Sequence, residues 1–142
     1  MTYATKQDLI DRFGERELVE LTDLTNTPPT TIDDVKVDRA LSDTDAKINS
    51  YLAARYATPL NPAPASVVDL ACAIARYKLW SDKASERVRD DYTDALKWLQ
   101  LVAGGTVTLA DATAAPTEQR SGGSVKTNAP QRTFTRDSLG DF

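Results

Sequence analysis

Over the first hundred positions, apolar residues recur three, four and seven apart, the spacings that bury one face of a helix. Thr5 precedes Lys6-Gln7-Asp8-Leu9-Ile10, and Asp8 three residues on completes the pattern of a capping box, in which the threonine hydroxyl accepts a first-turn N–H. That helix runs to Phe13. Gly14 is placed to close it in the left-handed conformation, and Glu15 to Leu21 adds a further turn or two with Leu18 and Leu21 inward, so the opening reads as a helical hairpin or a broken helix. From Thr22 to Ile32, two prolines and five threonines without a period predict a loop. A long helix restarts at Asp33 or Asp34, with Val37, Leu41, Ile48 and Leu52 as its stripe and Ala40 and Tyr51 in support; its length predicts the central element.

Pro59, Pro62 and Pro64 make Ala57 to Pro64 an extended, stiff connector, because each removes an amide donor and restrains the residue before it. Ser66 with Asp69 offers a second cap, ahead of a helix lined by Val67, Leu70, Ala71, Ile74, Ala75 and Leu79, where alanines 71, 73 and 75 permit close helix approach. After a short turn from Ser81 to Ala84, Ser85 is a third cap, and Val88, Tyr92, Ala95, Leu99 and Val102 form a heptad-like seam ending at Gly104-Gly105. The expected fold is all-α: a small bundle with two or three long helices over residues 1–103, followed by an extended tail over 104–142.

Within that tail, Thr106-Val-Thr-Leu109 alternates like a short strand, and the sequence to Arg132 is rich in Ala, Thr, Ser, Gly and Pro, the composition of a flexible linker. Phe134, Leu139 and Phe142 then interrupt an otherwise polar stretch. With Arg136 they read as a segment that docks on a partner.

Charge narrows the choice of partner. Residues 1–103 hold 17 Asp/Glu against 13 Lys/Arg and carry the whole net charge of −4, while the tail has four of each sign. Phosphate-backbone binding needs clustered cations that release counterions, so a partner with a basic face fits better than a nucleic acid. Cys72, the single cysteine, cannot form an intrachain disulfide; it reads as a small buried hydrophobe in a chain used under reducing conditions. No apolar run approaches bilayer length and the first residues lack a signal-peptide core, so the protein is expected to act without crossing a membrane.

Chemistry is sparse. The absence of histidine removes the commonest general base and metal ligand, and no cofactor, metal or catalytic residue is expected. Asp33-Asp34 and Asp90-Asp91 are adjacent, so on a helix each pair diverges by about 100° and cannot share a proton or metal. The loop beginning at Asp23 lacks the mid-loop glycine and closing glutamate of a calcium loop, and neither Gly104-Gly105 nor Gly122-Gly123 leads into the Lys-Ser/Thr of a phosphate loop. Tyr77, Trp80 and Trp98 can be imagined as a base-stacking platform, but their helical spacing and flanking leucines point to core or helix–helix contact and, if surface-exposed, to subunit packing.

The residues Tyr3-Ala-Thr-Lys-Gln-Asp-Leu-Ile-Asp-Arg-Phe-Gly14, Glu17-Leu-Val-Glu-Leu-Thr-Asp23, Ile48-Asn-Ser-Tyr-Leu-Ala-Ala-Arg-Tyr-Ala-Thr-Pro-Leu60, Leu70-Ala-Cys-Ala-Ile-Ala-Arg-Tyr77 and Tyr92-Thr-Asp-Ala-Leu-Lys-Trp-Leu99 together resemble the Mu-type phage head-to-tail connector family. Phe134-Thr-Arg-Asp-Ser-Leu139 is similar to family endings, whereas Asn26 to Thr31 departs from the glycine- and aspartate-rich loop of many relatives. The resemblance implies a helical adaptor in the virion neck, assembled as a ring of about twelve copies on the portal protein. That ring would join the filled head to a tail-side neck or tail-completion protein and let DNA pass without sequence-specific contact. Phe134, Arg136, Leu139 and Phe142 would dock on the portal or a neighbouring subunit, each weak contact multiplied by the ring. The alternative is a small helical protein-binding or regulatory module. An enzyme is not expected.

Overall fold

In the computed structural model, which describes residues 2–110 and 112–114, the helical periodicity becomes five α-helices: α1 (Lys6–Phe13), α2 (Glu15–Thr22), α3 (Asp34–Leu52), α4 (Ala65–Trp80) and α5 (Glu86–Gly104). A 3-10 turn, Ser81–Lys83, joins the last two.

Most helix starts follow the capping chemistry. The Thr5 hydroxyl accepts the Asp8 N–H while the Asp8 carboxylate accepts the Thr5 N–H and hydroxyl, and these bonds from Thr5 hold the Asp8 carboxyl below its ordinary range. Asp33 accepts from the Val35 and Lys36 N–H groups, and Ser85 accepts from Val88. Ser66 does not cap α4. The helix begins at Ala65 because Pro64, already at φ −59°, offers its carbonyl to the Val67 and Val68 N–H groups at 2.9 and 3.1 Å. Asp69 pairs with Arg12 of α1 instead. Nor is Gly14 left-handed helical: at φ 90°, ψ 147° it turns a sharp corner that serves as the end of α1 and the start of α2. Gly105, at φ 84°, ψ 7°, is the left-handed cap of α5.

The expected stripe of α3 is buried, with Val37, Ala40, Leu41, Ile48 and Leu52 inside. So are two polar residues on the same face. The Thr44 hydroxyl donates to the Ala40 carbonyl at 2.7 Å, and Asp45 accepts the Tyr3 N–H at 3.0 Å while burial pushes its carboxyl above the ordinary value. The central element is α4 rather than α3. All four other helices pack against it, which its slim buried face of Val67, Ala71, Cys72, Ile74 and Ala75 allows. From α5, Val88, Ala95, Leu99 and Val102 of the seam are buried and Tyr92 is half-buried.

The N-terminal segment locks this bundle. Buried Tyr3 donates its hydroxyl proton to Asn49 of α3 and accepts the N–H of Leu60 from the proline connector at 3.1 Å. After α5, Thr106–Leu109 is not a strand, and none occurs among the described residues. The Thr106 and Val107 N–H groups return to the Leu101 carbonyl, buried Leu109 donates its N–H to the Tyr56 hydroxyl at 3.0 Å, and Ala114 makes an isolated bridge to Tyr56. Packing therefore continues past residue 103.

The loop after α2 is organised around one carboxylate. Asp23 accepts the N–H groups of Thr25, Asn26, Thr30 and Thr31 and the Asn26 side-chain amide. These bonds, led by that from Thr30, hold its carboxyl well below the ordinary range. Below it, the Thr22 hydroxyl donates to Leu18 and accepts the Asp33 N–H at 3.0 Å, clasping the loop ends.

Two outcomes follow. Tyr3→Phe leaves the Leu60 amide without its acceptor, and a loss of about 1–3 kcal/mol is expected in urea unfolding, with the slope unchanged. Asp23→Ala should lower the thermal midpoint at neutral pH. Because the folded carboxyl titrates below the unfolded one, the difference between wild type and variant should be full above the unfolded value of about 4 and close as pH falls below it. A difference constant from pH 7 to pH 2 would show that the carboxylate charge does not hold the loop.

Candidate functional site

The end of α2 lies beside the end of α4, where Glu17 bonds to Arg76 and Trp80. Leu21, Leu24, Leu79 and Trp80 wall a groove of about 430 Å³, rimmed by Glu20 and Lys83. Leu24 is 76% exposed, in a loop fixed by the Asp23 hydrogen bonds. The same three leucines border a second hollow of about 230 Å³ lined also by Lys36, Arg39 and Lys78. The face is thus an apolar ridge with Glu20 and Lys83 at one groove and an excess of cations, Lys36, Arg39 and Lys78 against Asp43, at the other. Val35, 71% exposed, follows at the start of α3.

Trp80 owes its position to Glu17. The Glu17 carboxylate accepts the Trp80 indole N–H at 2.9 Å and both Nε and a terminal amine of Arg76, at 2.6 and 2.9 Å. The two charged side chains are only 21% and 19% exposed, so this forked pair is shielded from solvent. Arg76 also lies over the Phe13 ring, 4.4 Å from its centroid, which ties α1, α2 and α4 together beneath the groove.

The other two aromatics lie elsewhere. Tyr77 stacks on Tyr92 of α5, with ring centroids 4.0 Å apart and planes 11° from parallel, and the Lys47 ammonium stands 5.0 Å from the Tyr92 centroid. Trp98 flanks a different groove with Phe13, Leu70 and Asp91. The three side chains are all half-buried but line no common surface, so they do not make one stacking platform. Phe134, Arg136, Leu139 and Phe142 lie outside the described residues. Sequence reasoning missed Leu24, Leu21 and Glu17 as parts of a site. A lone leucine among threonines carries no periodic signal, and the Glu17–Trp80 bond joins residues 63 apart in sequence.

Chemically, the face suits contact with protein. Among the described residues, every buried side-chain nitrogen or oxygen has a hydrogen-bond partner, and no group of three His, Cys, Asp or Glu is arranged to hold a metal ion. Burial raises the Cys72 thiol to about 11, leaving it protonated and inert at neutral pH. No helix among the described residues is long and apolar enough to cross a membrane.

The profile of the family described as Bacteriophage Mu, Gp36 matches residues 3–127. The chain is 36% identical over 107 residues to the Mu-like prophage FluMu protein gp36 of Haemophilus influenzae, covering 75% of this chain and 74% of that one. It is 33% identical over 108 residues to Gene product J of Escherichia phage Mu, covering 74% of each.

Glu17→Ala removes the acceptor of both Arg76 and Trp80. A destabilisation of about 1.5–3 kcal/mol is expected, the scale of hydrogen bonds to a charged group, together with a red shift of tryptophan emission as the Trp80 ring loosens. Glu17→Gln, which keeps one acceptor, should lose less. Equal losses in the two variants would show that side-chain volume rather than hydrogen bonding matters there.

Proposed function

The chain belongs to the bacteriophage Mu Gp36 family, and from that premise we propose that this phage protein is a structural component of the virion, the head-to-tail connector. It acts by binding rather than by turnover. Copies assemble as a ring, about twelve in number, on the portal protein at the neck, with a tail-side neck or tail-completion protein below and DNA passing through without sequence-specific contact.

The observation that carries this reading is the uncovered apolar face of Leu21, Leu24, Leu79 and Trp80 on an otherwise well-packed helical domain. An apolar groove left open beside polar rims suits contact with another protein. The terminal Phe134, Arg136, Leu139 and Phe142 supply a second contact, docking on the portal or on a neighbouring subunit. The half-buried edges of Tyr77, Trp80 and Trp98 would serve subunit packing. Ring assembly suits such modest contacts, because each copy held on the portal raises the effective concentration of the next.

Native mass measured for the protein alone and mixed with its cognate portal tests the proposal. The expected result is a monomer that becomes many copies on one portal, with an association lost on deletion of Thr133 to Phe142 while helical content and cooperative unfolding persist. A monomer that ignores a competent portal overturns the connector reading and favours a helical protein-binding or regulatory module.

A further inference from the structure

We propose that, in the free protein, the ridge-and-groove face around Leu24 is occupied by the chain's own segment Phe134–Phe142. The inference shares with the proposed function the reading of that segment as a docking element, but does not depend on the portal.

Composition and charge order both select this occupant. Between Ala114 and Phe142, the only large apolar residues are Val125, Phe134, Leu139 and Phe142, three of them within nine positions. In the same stretch, Arg132 and Arg136 precede Asp137 and Asp141. The face carries a matching asymmetry across the Leu24 ridge. Glu20 stands with Lys83 at the larger groove, and Lys36, Arg39 and Lys78 outnumber Asp43, which lies 3.9 Å from Lys78, at the smaller hollow. Laid with Phe134 against Leu24 and Trp80, the segment brings Arg136 toward Glu20 and carries Asp137 and Asp141 toward the cations, with Leu139 and Phe142 beside Leu21 and Leu79. A one-sided excess of charge of this kind fixes direction as well as place.

Reach selects the chain's own segment over that of a second copy. The described chain ends at Ala114 beside Tyr56, beyond the C-terminal end of α3. The face lies near the first half of that helix, beside Lys36 and Ala40. The sixteen-residue interval from Lys36 to Leu52 rises about 24 Å. A tether of the twenty residues from Ala114 to Phe134 reaches at most about 70 Å, and a random coil of that length typically spans about 25 Å. Such a match of tether and span gives the highest effective concentration, of order 1 mM, against which a dilute second copy does not compete.

Paired cysteines in the full chain test this directly, since buried Cys72 with its raised thiol does not compete for reagent. Lys83→Cys with Thr133→Cys, which flank the groove and the segment and leave the apolar contacts in place, treated with a short bis-maleimide at about 1 μM protein, should close an intramolecular loop at least about tenfold faster than Asp90→Cys with Thr133→Cys, a pair that samples the exposed side of α5. Leu24→Asp together with Arg39→Asp should erase the difference. Equal rates for the two pairs overturn the inference. So does a product that forms mainly between separate Lys83→Cys and Thr133→Cys chains, which would assign the face to a second copy. If the preference is absent yet deletion of Thr133 to Phe142 still abolishes portal association, this inference fails and the connector reading stands. Preference without portal association sustains the inference and overturns the connector reading.

Discussion

Every helix of this fold packs on α4, and the fold exists because α4 can be surrounded. A helix approached from several sides must offer little volume on each. Ala71, Cys72 and Ala75 do so, while Val67 and Ile74 fill what remains. The consequence reaches the surface. With α1 and α2 short and turned by Gly14, the last residues of α4, Leu79 and Trp80, emerge half-buried beside Leu24, even though Glu17 of α2 holds the Trp80 indole.

The acidic composition has an internal explanation that changes its meaning. Asp8 and Asp33 satisfy helix-start amides, Asp23 gathers a loop, Asp45 receives the Tyr3 amide, and Glu17 holds Arg76 and Trp80. Much of the excess that suggests a basic partner is thus consumed in satisfying donors that would otherwise be orphaned. The charge that remains informative is local: the excess of Lys36, Arg39 and Lys78 over Asp43 on one side of an apolar ridge, with Glu20 and Lys83 on the other. Net charge describes how a protein associates in general, whereas a local excess beside a groove bears on what the groove can recognise.

The sequence makes the helices legible where one physical signal dominates. Thr5 and Ser85 are plain caps, and the stripes of α3 and α5 are plain periods. Ser66 misleads because Pro64, two residues earlier, starts the helix without a side-chain bond. Gly14 misleads because positive φ is compatible with more than one ψ, and only packing selects the extended value. Thr106–Leu109 alternates like a strand, yet alternation needs a partner edge, and hydrogen bonds to Leu101 and Tyr56 satisfy the segment instead. The candidate face is nearly illegible. Its ridge is a lone leucine in a loop, and the Glu17 carboxylate that positions Trp80 beside it acts across 63 residues, leaving no pattern in any local window.

The same geometry gives the protein a direction. Its described chain leaves the bundle beside Tyr56, past the end of α3, while the apolar face sits near the start of that helix. A contact linking the segment of one copy to the face of the next is heterologous, using two different surfaces of the same molecule. Repetition of such a contact closes a ring when the rotation allows and otherwise runs on as a filament. In the proposed free protein, a segment that first occupies its own face would restrain filament growth before assembly, because a neighbour must displace an intramolecular competitor at millimolar effective concentration. Only a scaffold that holds many copies side by side, as the proposed portal would, raises the neighbour's local concentration to the same scale. In that assembly, tether length, face position and scaffold symmetry would act together to favour a closed ring over an open filament.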